Sequence, residues 1–298
     1  MTKPNAVREV ARVVNAHRQL EGAGFPVRRP IPTPGTEFVD PFLLIDEMGP
    51  IAYPPGQAVG APDHPHRGFE TVTYVLEGGV EHEDSAGHRG TLGPGDVQWM
   101  TAGGGIIHSE TPTPELLDRG GRMHGFQIWI NLPARLKMTT PRYQEVPSAR
   151  VTHARSEDGR AEVNVIAGSA LGAHAVIETH TPIVFQDWKL GGGADVTIDV
   201  PQDHHALAYV FEGTAKVGDT GTEVDEGKMA IFGDGGVVRL RAVEGKRARL
   251  LLLSGVPLGE PVARYGPFVM NTEQELKQAF QDFRTGKMGE ITRTAQIR

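Results

Sequence analysis

Short apolar runs separated by glycine and proline turns recur along the first half of the chain. The segment EFVDPFLLIDEMGP (37–50) predicts a strand that ends at Gly49 and Pro50. Three further strand-forming stretches are ETVTYVLEG (70–78), GDVQWMTAGGGIIHSE (95–110), which bends at its glycines, and MHGFQIWINLP (123–133). Short strands at regular spacing with such turns are typical of an all-β sandwich or barrel.

The second half of the chain repeats this pattern. Its predicted strands are AEVNVIAGSA (161–170), THTPIVFQDWKL (179–190), ADVTIDVP (194–201), HHALAYVFEGTAKVG (204–218), KMAIFG (228–233) and RARLLLLSG (247–255). The stretch PARLKMTTPRYQEVPSARV (133–151) lies between the two sets. We therefore expect two β domains, residues 1–140 and 141–298, with the boundary near residue 140.

Two pairs of segments show that the two halves of the chain are similar in sequence. TYVLEGGV (73–80) aligns with AYVFEGTA (208–215), and GPGDVQWMTAGGG (93–105) aligns loosely with DEGKMAIFGDGGV (225–237). One such match could arise by chance, but two matches in the same order at nearly the same separation indicate a duplicated β module.

The tail of the chain switches to helical spacing. Thr272 and Glu275 form a capping-box pattern, and Gly286 suits the end of a helix. The apolar residues between them recur with a helical period: Leu276, Ala279, Phe280 and Phe283. The pattern predicts one amphipathic helix over 272–285, whose apolar stripe packs on the β structure.

Composition and charge exclude several classes of function. The 298 residues include no cysteine, which excludes disulfides, thiolate metal sites and a cysteine nucleophile. The net charge of −7 argues against direct binding to nucleic acid, which usually needs a basic face. The first 24 residues have no long apolar core and no other run is long enough to span a bilayer, so we expect a cytoplasmic protein without a signal peptide.

Two pairs of residues suggest a metal site. His64 and His66 stand two residues apart, and so do His108 and Glu110. Residues i and i+2 of a β-strand point to the same face, so each pair can aim both side chains into one barrel. A single His-x-His pattern is more often a hydrogen-bonded surface pair than a metal site. The second pair, which has the same two-residue spacing, is what favours a metal. Imidazole suits iron, copper, nickel and zinc, and an added carboxylate favours iron or manganese.

The segment from His64 to Glu110 resembles the signature of the pirin family, within the cupin superfamily. The resemblance continues in DPFLLIDEMG (40–49), GFQIWINLPARLKMTTPRYQ (125–144) and YGPFVMNTEQELKQAF (265–280). Pirins are bicupins, in which two antiparallel jelly-roll β-barrels face each other and only the N-terminal barrel carries metal. The resemblance implies this all-β fold with a short C-terminal helix. It also implies one divalent metal ion, usually iron(II), with manganese, nickel, copper and zinc as alternatives. Its implied ligands are His64, His66, His108 and Glu110.

Glu70 competes with Glu110 for the role of the carboxylate ligand. General cupins often place a ligand glutamate four residues after the second histidine, which is where Glu70 stands relative to His66. Four is an even number, so Glu70 could share the ligand face. The pirin pattern favours Glu110, and Glu70 would then support the ligands or pair with Arg67.

The bend before His108 departs from the pirin pattern, because many pirins have an arginine where this chain has Gly104. That difference leaves the contacts of the bend open. Nearby, the polar stretch EHEDSAGH (81–88) predicts a solvated hairpin tip.

The second repeat serves as an internal control for the metal site. The alignment maps the four ligand positions to residues without that chemistry: Asp199, Pro201, Leu240 and Ala242. His204 and His205 are adjacent, so on a strand they point to opposite faces and cannot chelate as a pair. We therefore expect one metal per chain, in the N-terminal domain.

Two functions follow from the resemblance. The first is a metal-dependent dioxygenase that opens the ring of a flavonol such as quercetin, with Glu110 as the base that takes the proton of the 3-hydroxyl. Its partners would be a small phenolic substrate and dioxygen. The alternative is a non-enzymatic iron-binding regulator, whose binding to a protein partner depends on the redox state of the iron.

Overall fold

The computed structural model of this protein describes residues 6–292. The predicted domains, 1–140 and 141–298, also include residues 1–5 and 293–298, which lie outside the described residues. Within the described range the structure consists mainly of β-strands.

The strands of the first half, in chain order, are β1 (Val10–Asn15), β2 (His17–Glu21), β3 (Phe25–Ile31), β4 (Phe42–Tyr53), β5 (Ala61–His66), β6 (Phe69–Glu77), β7 (Val80–Asp84), β8 (Arg89–Leu92), β9 (Val97–Thr101), β10 (Ile106–Pro112), β11 (Gly121–Asn131) and β12 (Arg142–Val146). Those of the second half are β13 (Thr152–Arg155), β14 (Ala161–Ala167), β15 (Ser169–Ala170), β16 (Ala173–His174), β17 (Ile183–Leu190), β18 (Asp195–Asp199), β19 (His205–Val217), β20 (Thr222–Asp225), β21 (Lys228–Phe232), β22 (Val237–Ala242), β23 (Ala248–Gly255), β24 (Ala263–Tyr265) and β25 (Phe268–Met270). The helices are α1 (Pro114–Arg119) and α2 (Glu273–Arg284), with single 3₁₀ turns at Ala134–Leu136 and Ser148–Arg150.

The chain folds into two compact units, each built from three segments. The first unit contains the residues up to His17, Arg28–Leu43 and Ala149–Pro257. The second unit contains Arg18–Val27, Leu44–Ser148 and the residues from Leu258 onward. Each unit thus includes a segment from the other side of the boundary predicted near residue 140.

The first unit is a ten-stranded antiparallel assembly around a dense apolar core. Its main order is β1-β21-β19-β23-β17-β14-β13, and β22 joins β18 to β19. Strand β18 shows the alternation that favours a strand with one buried face. Val196 and Ile198 are buried, whereas Asp195, Thr197 and Asp199 are exposed. The core between the strands includes Trp188, Leu250 and Leu252.

The second unit contains the histidine pairs. Strands β5-β10-β7-β8 form a four-stranded sheet, and a seven-stranded sheet has the order β12-β9-β6-β11-β4-β3-β2. In the latter, β6 pairs antiparallel with both β9 and β11. The predicted all-β, jelly-roll bicupin fold is confirmed, with the difference that its sheets are open and do not close into complete barrels.

One local prediction was wrong, and one short helix was missed. Strand β4 does not end at Gly49 and Pro50 but continues to Tyr53. Gly49 has a φ of +83°, and its lack of a side chain lets the backbone pass close to the carbonyl of Met123. Helix α1 was not predicted, although Thr113 as its N-cap and a proline at its first position are a recognised helix start.

The C-terminal helix is confirmed. Helix α2 has Thr272 as its N-cap, and both reciprocal hydrogen bonds of the capping box with Glu275 are formed. Its buried face packs against β25, where Leu276 and Ala279 join Phe268 in one apolar cluster. Among residues 6–292, none of the helices has the length and apolar character needed to cross a membrane.

We expect Thr272→Ala to weaken helix α2, because the hydroxyl that accepts the Glu275 amide proton is lost. The expected cost is about 1 kcal/mol of local stability. Hydrogen exchange of the α2 amides measures it, and Thr272→Ser, which keeps a capping hydroxyl, should retain most of the protection. Equal protection in the alanine variant and the native protein would show that the cap contributes little.

Candidate metal centre

Strands β5 and β10 bring three histidines together. The two strands pair antiparallel, with His108 opposite His64 and Ile106 opposite His66. The ring centroids lie 4.6 Å apart for His64–His66, 4.3 Å for His64–His108 and 4.9 Å for His66–His108. One ligand nitrogen from each ring lies within 4.8 Å of the others, a spacing that can hold a metal ion. The predicted convergence of the two pairs is thus observed for the three imidazoles.

Burial favours the neutral form of two of the rings, His66 and His108. His66 and His108 are almost fully buried, at 4% and 1% exposure. Burial, and the neighbouring imidazole of His64, lower the pKa of both rings well below the ordinary value. Neutral imidazole keeps a lone pair on one nitrogen, which is the form that binds a metal.

The hydrogen bonds of the rings leave these lone pairs available. His64 Nδ1 lies 2.7 Å from the Pro62 carbonyl, so Nδ1 donates and Nε2 keeps the lone pair. His66 bonds to the backbone of Pro267, which has only a carbonyl to offer, and its Nδ1 has no partner among residues 6–292. Neither ring nitrogen of His108 has a partner in that range. Buried unpaired nitrogens are costly, and a bound cation would satisfy them, so these residues fit a metal.

Glu110 is not part of the group of three. Its carboxylate reaches across to the seven-stranded sheet, where Oε1 accepts a hydrogen bond of 2.7 Å from Thr73 Oγ1. Gln127 Nε2 donates to both oxygens, at 3.1 and 2.9 Å. Since Glu110 follows His108 by two residues on β10, it projects to the same side of that strand. Its role as a ligand stays a prediction.

Glu70 lies on the opposite face of β6. Thr73 bonds Glu110, and Phe69 contacts the ring of His66, so the odd-numbered residues of β6 face the histidines. Glu70 has the other parity, and its Oε1 accepts a bond of 2.6 Å from buried Thr101. Burial raises the pKa of Glu70. The even spacing between His66 and Glu70 is misleading, because the chain turns at Gly68 before β6 begins.

An aromatic wall borders the histidines. The His66 ring contacts Phe69 and Trp129, each at 5.1 Å between centroids. Phe69 and Trp129 lie 4.3 Å apart, and the Arg264 guanidinium covers the Trp129 ring at 4.8 Å. Phe69 and Trp129 thus give the site an apolar border next to the histidines.

Arg67 connects both histidine-bearing strands to the C-terminal helix. Its Nε donates to the Gly104 carbonyl, at 2.7 Å, in the bend that leads into β10. Its Nη1 forms a buried ion pair of 2.9 Å with Asp282 on α2. The prediction that Arg67 pairs with Glu70 was therefore wrong. A single guanidinium fixes the end of β5, the start of β10 and the helix relative to one another.

Lys137 makes a second buried connection. Its Nζ donates to the Gly68 carbonyl at 2.8 Å, to Asn131 Oδ1 at 2.6 Å and to the Val269 carbonyl at 3.1 Å. These acceptors use all three ammonium protons. Burial lowers the pKa of Lys137 to about 8, against the opposing charges of Glu260 and Glu275.

Family models match both halves of the chain: Pirin over residues 24–130 and Pirin C-terminal cupin domain over residues 185–289. The chain is 43% identical to Pirin-like protein 2 of Arabidopsis thaliana over 95% of its length and 86% of that protein's. It is 42% identical to Pirin of Homo sapiens over 95% and 94% of the two chains. The chain belongs to the pirin family. Among solved structures, the quercetin 2,3-dioxygenase from Acinetobacter baumannii superposes with a TM-score of 0.90, at 38% identity, over 96% of this chain and all of that one.

The bend in which many pirins have an arginine is stabilised here through its backbone. Gly104 N donates to the Thr139 carbonyl, at 2.8 Å, and Gly104 O accepts from Arg67. A Cβ at Gly104 would approach the carbonyls of Met138 and Thr139 at only 3.4 and 3.5 Å. These are ordinary van der Waals distances, so the bend has room for a Cβ at this position, and its hydrogen bonds are made by the backbone of Gly104.

The other pirin unit has apolar residues where the alignment places two of the ligands. Leu240 and Ala242 belong to its buried core. His204 is buried and bonds Ser254, whereas His205 is exposed and bonds the Asp40 carbonyl, so the two rings do point in different directions.

Several residues around the pirin site were not recognised from the sequence. Thr73, Lys137 and Asp282 are ordinary polar residues in strands, turns and helices, and nothing in their spacing marks them. The hairpin prediction for 81–88 was wrong in part, because His82 and Asp84 are buried at 2% exposure. Their alternation with the half-buried glutamates of β7 was the available signal for an inward-facing pair.

We expect Arg67→Met to destabilise the second unit by about 3 kcal/mol, because it leaves the Gly104 carbonyl and the buried Asp282 carboxylate without their shared donor. Chemical denaturation measures the loss. Lys287→Met is the matched control, since it removes the exposed partner of the same carboxylate and should cost less than about 1 kcal/mol. Equal effects of the two variants would contradict this ranking.

A pH dependence is expected from Lys137. Its pKa is lower in the folded chain, at about 8, than its ordinary value of 10.5, so between these values the unfolded chain binds more protons. The native protein should therefore gain stability relative to Lys137→Met as the pH rises through this window, and the difference should be constant below it. Urea unfolding of both proteins at several pH values tests this, and a flat difference would rule it out.

Proposed function

We propose that this protein is a metal-dependent dioxygenase that opens the ring of a flavonol such as quercetin. The observation that carries the proposal is the group of three histidines on β5 and β10, in which one ligand nitrogen of each ring lies within 4.8 Å of the others and two of the rings, His66 and His108, are buried. Support comes from the 38% identical quercetin 2,3-dioxygenase of Acinetobacter baumannii, whose structure matches 96% of this chain.

The residues that would hold the metal are His64, His66, His108 and Glu110, with one ion per chain. A set of imidazoles with one carboxylate favours iron(II) over zinc or copper. Iron(II) supplies the redox chemistry that the reaction of a phenol with dioxygen requires.

The protein's own groups would bind the substrate and move one proton. Thr73 and Gln127 fix the Glu110 carboxylate, and Oε2 accepts fewer hydrogen bonds than Oε1. Oε2 is therefore the atom that would take the proton of the flavonol 3-hydroxyl. Phe69 and Trp129 would orient the flat ring system and exclude water from it.

The proposal predicts that protein loaded with iron(II) without air consumes quercetin and releases carbon monoxide when oxygen is admitted. His66→Ala should lose both iron and turnover. Glu110→Gln should lower turnover by about 100-fold or more at saturating iron, because its amide cannot take the proton. Elemental analysis measures metal content, and flavonol absorbance with carbon monoxide detection measures turnover.

The control variant is His153→Ala, which removes an exposed histidine bonded only to Asn164 and should behave like the native protein. Protein that binds no divalent metal would refute the proposal. An intact iron site without turnover across a panel of flavonoids would instead favour the alternative, an iron-binding regulator that acts on a protein partner.

A further inference from the structure

The first unit contains a cleft that the metal chemistry does not use. Its volume is about 900 Å³, within the range of small-molecule sites. Its floor is apolar and buried, and consists of Ile177, Ile183, Val184 and Val200.

The cleft lies where the internal repeat places the metal centre of the other unit. Asp199 and Pro201, which align with His64 and His66, line it. Gly236, which aligns with Gly104, lines it as well. The positions that align with the remaining two ligands are buried in the apolar core instead. This unit has thus kept an open cleft at the repeat position without the residues that would hold a metal.

One buried polar side chain faces the cleft. His204 lines it at 4% exposure, and its Nδ1 lies 3.0 Å from Ser254 Oγ. Because Nδ1 is occupied by Ser254, Nε2 is the ring nitrogen left to meet a molecule in the cleft. Burial lowers the pKa of His204, so the ring is neutral near pH 7 and can exchange a hydrogen bond without a charge.

The charges around the cleft limit its ligand. Its lining includes the Asp199 carboxylate but no lysine or arginine. The guanidinium of Arg8, which acts electrostatically on His204, already donates to the carbonyls of Gly233, Pro201 and Gln202. The lining itself therefore offers an anion no cation, and a charged group placed on the apolar floor would lose its hydration. A neutral molecule with an apolar body and one hydroxyl or carbonyl group suits the floor and His204 together.

We propose that this cleft is a second, metal-independent binding site for a small neutral molecule with an apolar body and one hydroxyl or carbonyl group, which hydrogen-bonds to His204. The site is separate from the histidine triad, and binding of the molecule in the cleft does not require a metal at the histidines.

The test titrates 4-ethylphenol into the full-length protein, after metal removal with EDTA, and follows backbone amide NMR signals. Saturable shifts are expected at Ile177, Val184 and Gly236, with a dissociation constant on the order of 1 mM for so small a probe. Ethylbenzene, which lacks the hydroxyl, and 4-ethylbenzoate, which is an anion, should each bind about tenfold more weakly.

Two pairs of variants sharpen the test. Ala175→Trp should fill the cleft and abolish the shifts, whereas Val176→Trp, at a neighbouring exposed residue outside the lining, should leave them unchanged. His204→Phe should weaken 4-ethylphenol about tenfold while ethylbenzene binds as before.

Four results would overturn the proposal. The first is an absence of saturable shifts at the cleft, and the second is shifts confined to residues near the histidine triad. The third is equal loss of binding in Ala175→Trp and Val176→Trp, which would mean that the cleft is not the site. The fourth is an unchanged affinity for 4-ethylphenol in His204→Phe, which would mean that His204 does not bind the hydroxyl group.

Discussion

The antiparallel pairing of β5 with β10 is the constraint on which the group of three histidines depends. It places His108 opposite His64 and next to His66, so that three rings project from adjacent positions of two strands. Side chains alternate between the faces of a sheet, so a shift of one residue in this register would turn His108 away from the other two. Arg67 opposes such a shift, because it binds the chain directly after β5 to the bend directly before β10.

The C-terminal segment is part of this arrangement. Asp282 neutralises Arg67, the Pro267 carbonyl bonds the His66 ring, and Lys137 joins the carbonyls of Gly68 and Val269. Gly68 must be glycine, because a Cβ there would lie 1.9 Å from the Val269 carbonyl and its φ is +90°. The tail therefore does more than cover apolar surface, because it sets the position of the strand end that bears His64 and His66.

The two units show how one β architecture serves two purposes. Where the second unit directs imidazoles and a carboxylate inward, the first directs Leu240 and Ala242 into a dry core. A polar interior needs partners for each buried nitrogen and oxygen, and a metal ion can satisfy several at once. An apolar interior needs none, which leaves the first unit free to keep an open cleft without a metal.

The sequence by itself determined the all-β class, helix α2, the repeat and the histidine pairs, because alternation, helix caps and motif spacing are local properties of the chain. It did not determine the end of β4, the face of Glu70 or the partner of Arg67. Gly68 interrupts the alternation between His66 and Glu70, and Arg67 pairs with a residue 215 positions away. Only the tertiary structure decides such contacts, because they depend on which distant segments pack together when the sheets and the tail assemble.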